Sequence, residues 1–394
     1  MLRVFGMMAA VCAQAESTRG RRWAATMHGF GAGRNVTLAH ETSVARIAPA
    51  SDTGSPLDVS VDRLRREGRE ARSLSPGATR ASGAGNRIVE EEPDPWRTCF
   101  ERDRDRILHS SSFRRLAGKT QVFIFPEDHQ RTRLSHALEV AQVAGGIARS
   151  VGLNVALVEA IALGHDCGHG PGGHASEDAF DPFVEGGYDH APWGAEVSLA
   201  TLNLCEETLD GIANHSWSRP APATPEGEVV SWADRIGYVC HDFEDAVLAR
   251  IVTPESLPVL VRERCGSRRG DQLGAFIDAM VTTITETGLI GMDTDHAEAL
   301  ASFREFNYER IYLRDESVAQ GEAVVAVLRA LVEHFARAPS EIPDRADDGL
   351  RSDSPDAVNA AVRYVSGMTD RYAFRTAVST LGWDPARLPQ GIDR

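Results

Sequence analysis

Cysteine is scarce: six residues in 394, at positions 12, 99, 167, 205, 240 and 265. None pairs closely with another along the chain. A disulfide framework and a zinc ribbon are both excluded, and the usage fits a cytoplasmic protein. Long apolar runs are missing as well; none reaches the roughly 18 residues of a membrane helix. Positive charge is in short supply, 42 Lys and Arg against 57 Asp and Glu, for a net charge of −15. That argues against a nucleic-acid partner, which calls for a basic face, and leaves room for a local basic pocket. Strand-like alternation is absent over any useful length, and so are internal repeats. What is present is ordinary globular material, 42% hydrophobic and 25% charged, enough for a sizeable core.

The chain divides into three by composition. Residues 1–88 are rich in Gly, Ala, Arg and Ser with little periodicity, and are expected to form a disordered or non-native lead, with a short helix possible over 59–73. Residues 89–340 carry helical periodicity and form the expected core with a helical extension. Its first helix is expected to start at Asp94-Pro95 as cap and first residue. Helices are expected over 131–151, 155–166, 177–184, 195–208, 225–249, 257–264, 271–285, 293–313 and 317–335. Residues 122–125 read as a short strand or extended turn. Residues 341–394 read as an acidic linker and a last helical segment over 356–381. The fold class is all-α.

The informative stretch runs from Ile161 to Asp178, I-A-L-G-H-D-C-G-H-G-P-G-G-H-A-S-E-D. An apolar helix ends in adjacent His165 and Asp166, and glycines with Pro171 break it immediately afterwards. His and carboxylate side by side at the end of a buried helix present two ligands to one metal ion. His136 and Asp234 stand in two further helical patterns. On the Asp234 helix, Tyr238, His241 and Asp242 follow at i+4, i+7 and i+8, a polar stripe on an otherwise apolar rod. Eight of thirteen histidines fall within residues 129–241. Taken singly, His136 and Asp234 read as a core histidine and a surface acid. Together, two imidazoles and two carboxylates from three helices suit Mn²⁺, Fe²⁺, Zn²⁺ or Mg²⁺, with positions left open for a substrate.

The ordered motifs R-R-L-A-G-K-T-Q-V-F (114–123), R-T-R-L-S-H-A-L-E-V (131–140), G-H-D-C-G-H-G-P-G-G-H (164–174) and W-A-D-R-I-G-Y-V-C-H-D (232–242) resemble the HD-domain deoxynucleoside triphosphate triphosphohydrolases. The resemblance implies the HD-domain metal-dependent phosphohydrolase fold, all helical, and a divalent metal held by His136, His165, Asp166 and Asp234. It implies cleavage of a dNTP, dGTP favoured, to deoxynucleoside and inorganic triphosphate by a homo-oligomer. By the same resemblance Arg133 binds phosphate, His169 and His174 lie near the α- and β-phosphates, and Lys119 helps neutralise charge. His190 protonates the leaving 5′-oxygen, with Asp178 as its acidic partner. Tyr238 packs on the sugar, and Asp242 and Gln121 read the 3′-hydroxyl. The chain departs from the pattern in two places: H-A-P-W-G-A-E follows from His190, and Gly173 stands where an aromatic residue or serine is common. Two other readings remain open on the residues alone. One is an HD phosphohydrolase of nucleoside monophosphates or a nucleotide second messenger, and the other is a nucleotide sensor without useful turnover.

Overall fold

The computed structural model describes residues 60–126, 129–343 and 348–390, together with two two-residue strands at His40–Glu41 and Arg46–Ile47 that pair antiparallel. Val61–Arg394 forms one compact unit. Among its described residues the secondary structure is helical, apart from isolated bridges Arg87↔Cys205 and Thr120↔Thr132. The all-α expectation holds.

In chain order the main helices are α1 (Arg63–Ser73), α2 (Cys99–His109), α3 (Arg133–Val151), α4 (Val155–Gly164), α5 (Ala175–Phe180), α6 (Glu206–Ala213), α7 (Pro225–Leu248), α8 (Val259–Cys265), α9 (Arg269–Thr287), α10 (Thr294–Asn307), α11 (Asp315–Arg337), α12 (Pro355–Ser366) and α13 (Asp370–Leu381). The central one is α4. Seven of its ten residues are buried, Leu157, Val158 and Ala160 through to Gly164, and it packs against α2, α3, α6 and α7; its one charged residue, Glu159, is half-buried and pairs with Arg104. Full burial of each Leu, Ile or Val is worth roughly 1.5–3 kcal/mol. Asn154 caps it by accepting from Leu157 N, and Thr224 caps α7 ahead of Pro225. A second apolar cluster gathers around α11, with α12 and α13 against it.

Several expectations are corrected. Residues 61–88 belong to the compact unit and not to a lead: Ala78 and Ala81 are buried, and Glu226 accepts from Thr79 N and Thr79 Oγ1 at 3.0 and 2.7 Å. Residues 1–59 lie outside the described residues, apart from the two strands. Thr98, not Asp94, caps α2, in a reciprocal capping box with Glu101. Asp94 instead accepts from Trp96 N and Arg97 N. Residues 122–125 form bends, with Phe125 at φ 55°. The helix expected over 195–208 is broken: a wide turn at Gly194–Ser198 and a tight one at Ala200–Leu202 end at Asn203 in the left-handed region. The last segment is two helices, α12 and α13, not one.

Candidate active site

Three helices converge on one point. Near the start of α3 lie Arg133 and His136, at the end of α4 lie His165 and Asp166, and in mid-α7 lies Asp234. The carbonyl end of a helix favours positive charge, so the end of α4 suits a cation. His136 Nε2 lies 3.0 Å from Asp234 Oδ1, and His165 Nε2 lies 3.6 Å from the same oxygen and 3.5 Å from Asp166 Oδ1. Two ligands each about 2.1 Å from one ion, at roughly a right angle, would be about 3 Å apart.

The chemistry of these atoms fits a divalent cation. His165 Nδ1 donates to Ala162 O at 2.6 Å, which leaves Nε2, a buried atom with no hydrogen-bond partner, to take either a proton or a metal ion. Burial opposes the charge on Asp166 and Asp234, but Arg133, His165 and His169 outweigh it for the first, and His136 and His165 for the second. Both carboxyls are held well below the usual range. Burial likewise opposes charge on His165, and Asp166 and Asp234 outweigh it, pushing the imidazole up to about 9. The site holds positive charge on its own side chains, which is what a bound cation would replace.

A cavity of about 850 Å³ opens over these residues. Of the site residues that the resemblance implies, all but His165 and Lys119 line it; His241 of the α7 stripe does not, being buried with its Nδ1 3.3 Å from Glu139 Oε2. His165 is buried and its Nε2 faces Asp166 and Asp234. Arg133 NH1 donates to Asp166 Oδ2 at 2.9 Å, while its Nε and NH2 are buried and unpartnered at the cavity. Gln121 Oε1 is in the same condition. Asp242 Oδ2 accepts from Tyr312 OH at 2.6 Å, and burial pushes the Asp242 carboxyl up to about 7. Tyr238 OH accepts from Arg304 Nε at 3.0 Å and from Arg235 Nε at 3.4 Å.

Two expectations fail here. Lys119 does not face the cavity. Its Nζ is buried, donates to His169 O and to Ser366 O, and is driven down to about 8 by that burial. The acid paired with His190 is Glu177, not Asp178: Glu177 Oε1 lies 2.5 Å from His190 Nδ1. Asp178 reaches the cavity wall without making that contact, and its carbonyl accepts from Arg329.

His190 arrives through glycine. A Cβ at Gly168 would lie 1.9 Å from His190 O and 2.5 Å from Gly194 N, so only glycine lets the two backbones touch. Asp189 caps the short helix His190–Trp193 by accepting from Ala191 N. The His190 ring stacks on His169 at 3.7 Å and 16°. Its Nε2 lies 3.2 Å from His215 Nε2, and His215 Nδ1 donates to Ile212 O at 2.8 Å. That leaves His215 Nε2 as the acceptor. An ionised carboxylate can only accept, so both ring nitrogens of His190 face acceptors and the partners suit a doubly protonated imidazole. Glu177 is ionised: burial would raise its carboxyl, but His174 and His190 hold it well below the usual range. His174 stands exposed at the rim, 3.5 Å from Glu177. Donor atoms of His169, His174, Glu177 and His190 lie within 4.8 Å of one another.

Sequence reasoning missed His215, Arg235, Arg304, Tyr312 and Glu177. Only the crowding of histidines hinted at the first. Arg304 and Tyr312 carry no local signal, because their place at the cavity depends on α10 returning to α7, whereas Arg235 stands beside Asp234 on α7 itself.

A helical bundle with two imidazoles and two carboxylates at the meeting of three helices defines an HD-domain phosphohydrolase. The family profile for the HD domain matches residues 133–238, and that for the phosphohydrolase-associated domain matches residues 290–378. A deoxyguanosinetriphosphate triphosphohydrolase-like protein of Caldanaerobacter subterraneus is 39% identical over 315 residues, covering 77% of this chain and 91% of that protein. A like-named protein of Clostridium perfringens is 39% identical over 303 residues, covering 72% and 86%. The chain belongs to the deoxyguanosinetriphosphate triphosphohydrolase-like family of HD-domain proteins.

Proposed function

We propose that the protein hydrolyses deoxynucleoside triphosphates, dGTP preferred, to deoxynucleoside and inorganic triphosphate. The base preference rests on the names of its relatives. The observation that carries the reaction is one cavity joining the His136–His165–Asp166–Asp234 set to a second cationic pole. At that pole Arg235, stacked 3.5 Å from Trp217, and Arg304 flank Tyr238. Arg235 NH1 is buried and unpartnered, as are Nε and NH2 of Arg133. Buried guanidinium N–H groups without acceptors suit phosphate oxygens.

His136, His165, Asp166 and Asp234 would hold the divalent metal. When bound, it would polarise a phosphoryl oxygen and ease deprotonation of water. Arg133, Arg235 and Arg304 bind the triphosphate and stabilise charge that develops on it. Asp242 and Gln121 hold the 3′-hydroxyl, and Tyr238 packs on the sugar. Water attacks the α-phosphorus; the new O–P bond forms as the bond from phosphorus to the 5′-oxygen breaks. His190, protonated between Glu177 and His215, delivers its proton to that oxygen, and the attacking water loses one to solvent. His169 orients the His190 ring by stacking.

The test is product analysis. The full chain with Mn²⁺ is incubated with each dNTP and the phosphorus products are resolved by ³¹P NMR. Inorganic triphosphate with deoxynucleoside is the expected outcome. Orthophosphate or a nucleoside monophosphate as product refutes the reaction, and no turnover with a nucleotide-induced thermal shift points to a sensor.

A further inference from the structure

Two polar side chains from distant parts of the chain meet behind the cavity wall, and the reaction proposed above uses neither. Asp370, at the first residue of α13, is 3% exposed. Its Oδ2 accepts from Thr120 N at 2.9 Å and from Thr120 Oγ1 at 2.5 Å, and its Oδ1 accepts from Gly172 N at 2.8 Å. Lys119, the neighbour of Thr120, is also 3% exposed and spans the other way. Its Nζ donates to the carbonyl of His169 and, at 3.0 Å, to that of Ser366 at the end of α12.

All of these bonds but the one to Ser366 reach a segment that carries a cavity residue. Thr120 precedes Gln121 and forms a bridge with Thr132, next to Arg133. Gly172 sits between His169 and His174, at φ 75°, and a Cβ there would lie 2.5 Å from Val324 of α11. The loop is thus wedged between Val324 and the Asp370 carboxylate, in a backbone conformation that has few other ways to satisfy its amide. Lys119 holds the loop at its other side, at the carbonyl of the residue whose ring stacks on His190.

We propose that Asp370 and Lys119 form a clamp through which the corner between α12 and α13 positions the loop of residues 168–174. In this reading Asp370 and Lys119 are positioning residues. The α12–α13 pair, inside the region matched by the phosphohydrolase-associated profile, completes the active site without touching substrate. A loop held in place by a few buried hydrogen bonds loses alignment before it loses fold, and small misplacements of reacting groups lower the rate steeply. The inference deepens the proposed hydrolysis and rests on it for its kinetic readout.

The test uses the full chain with Mn²⁺ and the variants Asp370→Asn, Asp370→Glu and Lys119→Met. Hydrogen exchange of peptides over 119–122 and 168–176 is measured beside steady-state kinetics. For Asp370→Asn and Lys119→Met the clamp requires faster exchange in those two stretches while α12 keeps its protection. It also requires kcat per folded molecule to fall by about ten-fold or more with KM within about three-fold. Partial recovery in Asp370→Glu is expected, because the two-oxygen acceptor returns. Unchanged exchange over 168–176, or activity lost only in proportion to unfolded protein, overturns the clamp. If the wild type itself turns over no dNTP, the function proposed above fails, and the exchange data alone decide the clamp.

Discussion

Replacing Glu177 with glutamine removes one charge beside His190 and changes little of the local shape. Glu177 Oε1 lies 2.5 Å from His190 Nδ1, and the same carboxylate is 3.5 and 3.7 Å from Nδ1 of His174 and His169. It is the only carboxylate within hydrogen-bond reach of His190 among the described residues. An amide oxygen still accepts from Nδ1–H but carries no charge to offset the protonated His190 that the proposed mechanism requires. Charge-assisted hydrogen bonds are worth roughly 1.5–3 kcal/mol, and a positioned general acid contributes about 10²- to 10⁴-fold. We expect kcat to fall about a hundred-fold, equivalent to about 2.7 kcal/mol at 1.36 kcal/mol per decade. KM should move little, since the arginines proposed to bind the triphosphate are untouched. The assay is steady-state release of inorganic triphosphate, with Asp178→Asn measured beside it and both variants checked for folding. Asp178→Asn should retain activity within about three-fold. A larger loss in Asp178→Asn than in Glu177→Gln would refute the pairing seen here and restore the acid first expected from sequence.

Three further outcomes are expected. Gly173→Ala places a side chain in the left-handed region at φ 66°, 2.8 Å from Arg133 NH2 and 2.9 Å from the Thr120 carbonyl. It should destabilise by about 1–3 kcal/mol and raise KM as Arg133 shifts, read by urea unfolding and kinetics. Asp103→Ala strands Arg87, its partner at 2.6 Å in a pair only 0–1% exposed, and frees Cys205 N and Thr208 Oγ1. It should cost about 3–5 kcal/mol in denaturant unfolding, and a loss below 1 kcal/mol would contradict the burial. Glu91 is held down to about 2, chiefly by the hydrogen bond from Arg106, with Asn203 and Arg102 adding to it. A depressed carboxyl stabilises fully above its ordinary value near 4.5 and loses that contribution as pH falls toward 2. Glu91→Gln should therefore flatten the loss of stability across that window.

The three site helices were legible because each carries its own evidence: an apolar stripe on α3, an apolar run in α4 broken only by Glu159, a polar stripe on α7. His165 and Asp166 stood out because they close a helix that is almost entirely apolar. The acid beside His190 was not legible. Glu177 and Asp178 are neighbours, about 100° apart around a helix, and which one faces His190 depends on how the glycine loop seats α5. Lys119 misled for a related reason. The resemblance implied a role in neutralising charge, but the direction of the side chain is set by residues near 366, some 250 positions away along the chain. The start of α2 shows two cap signals in competition. Asp94-Pro95 carries the stronger local pattern, yet the reciprocal bonds of Thr98 and Glu101 win, with Asp94 spent on a turn. The broken segment after Gly194 hid behind good helix formers, and Asn203 in the left-handed region ends it.

One helix, α7, holds Asp234 at the metal-ligand cluster, Arg235 and Tyr238 at the second cationic pole, and Asp242 bonded to Tyr312. At about 1.5 Å rise per residue, eight residues separate the first and last of these by about 12 Å along one rigid rod. The site therefore carries its own measuring stick. A ligand touching both ends has its length set by the pitch of a buried helix, and no movement of the surrounding loops can lengthen or shorten that gauge. Loop changes can reshape the mouth of the cavity, but the distance along α7 from the carboxylate at one end to the carboxylate at the other stays constant.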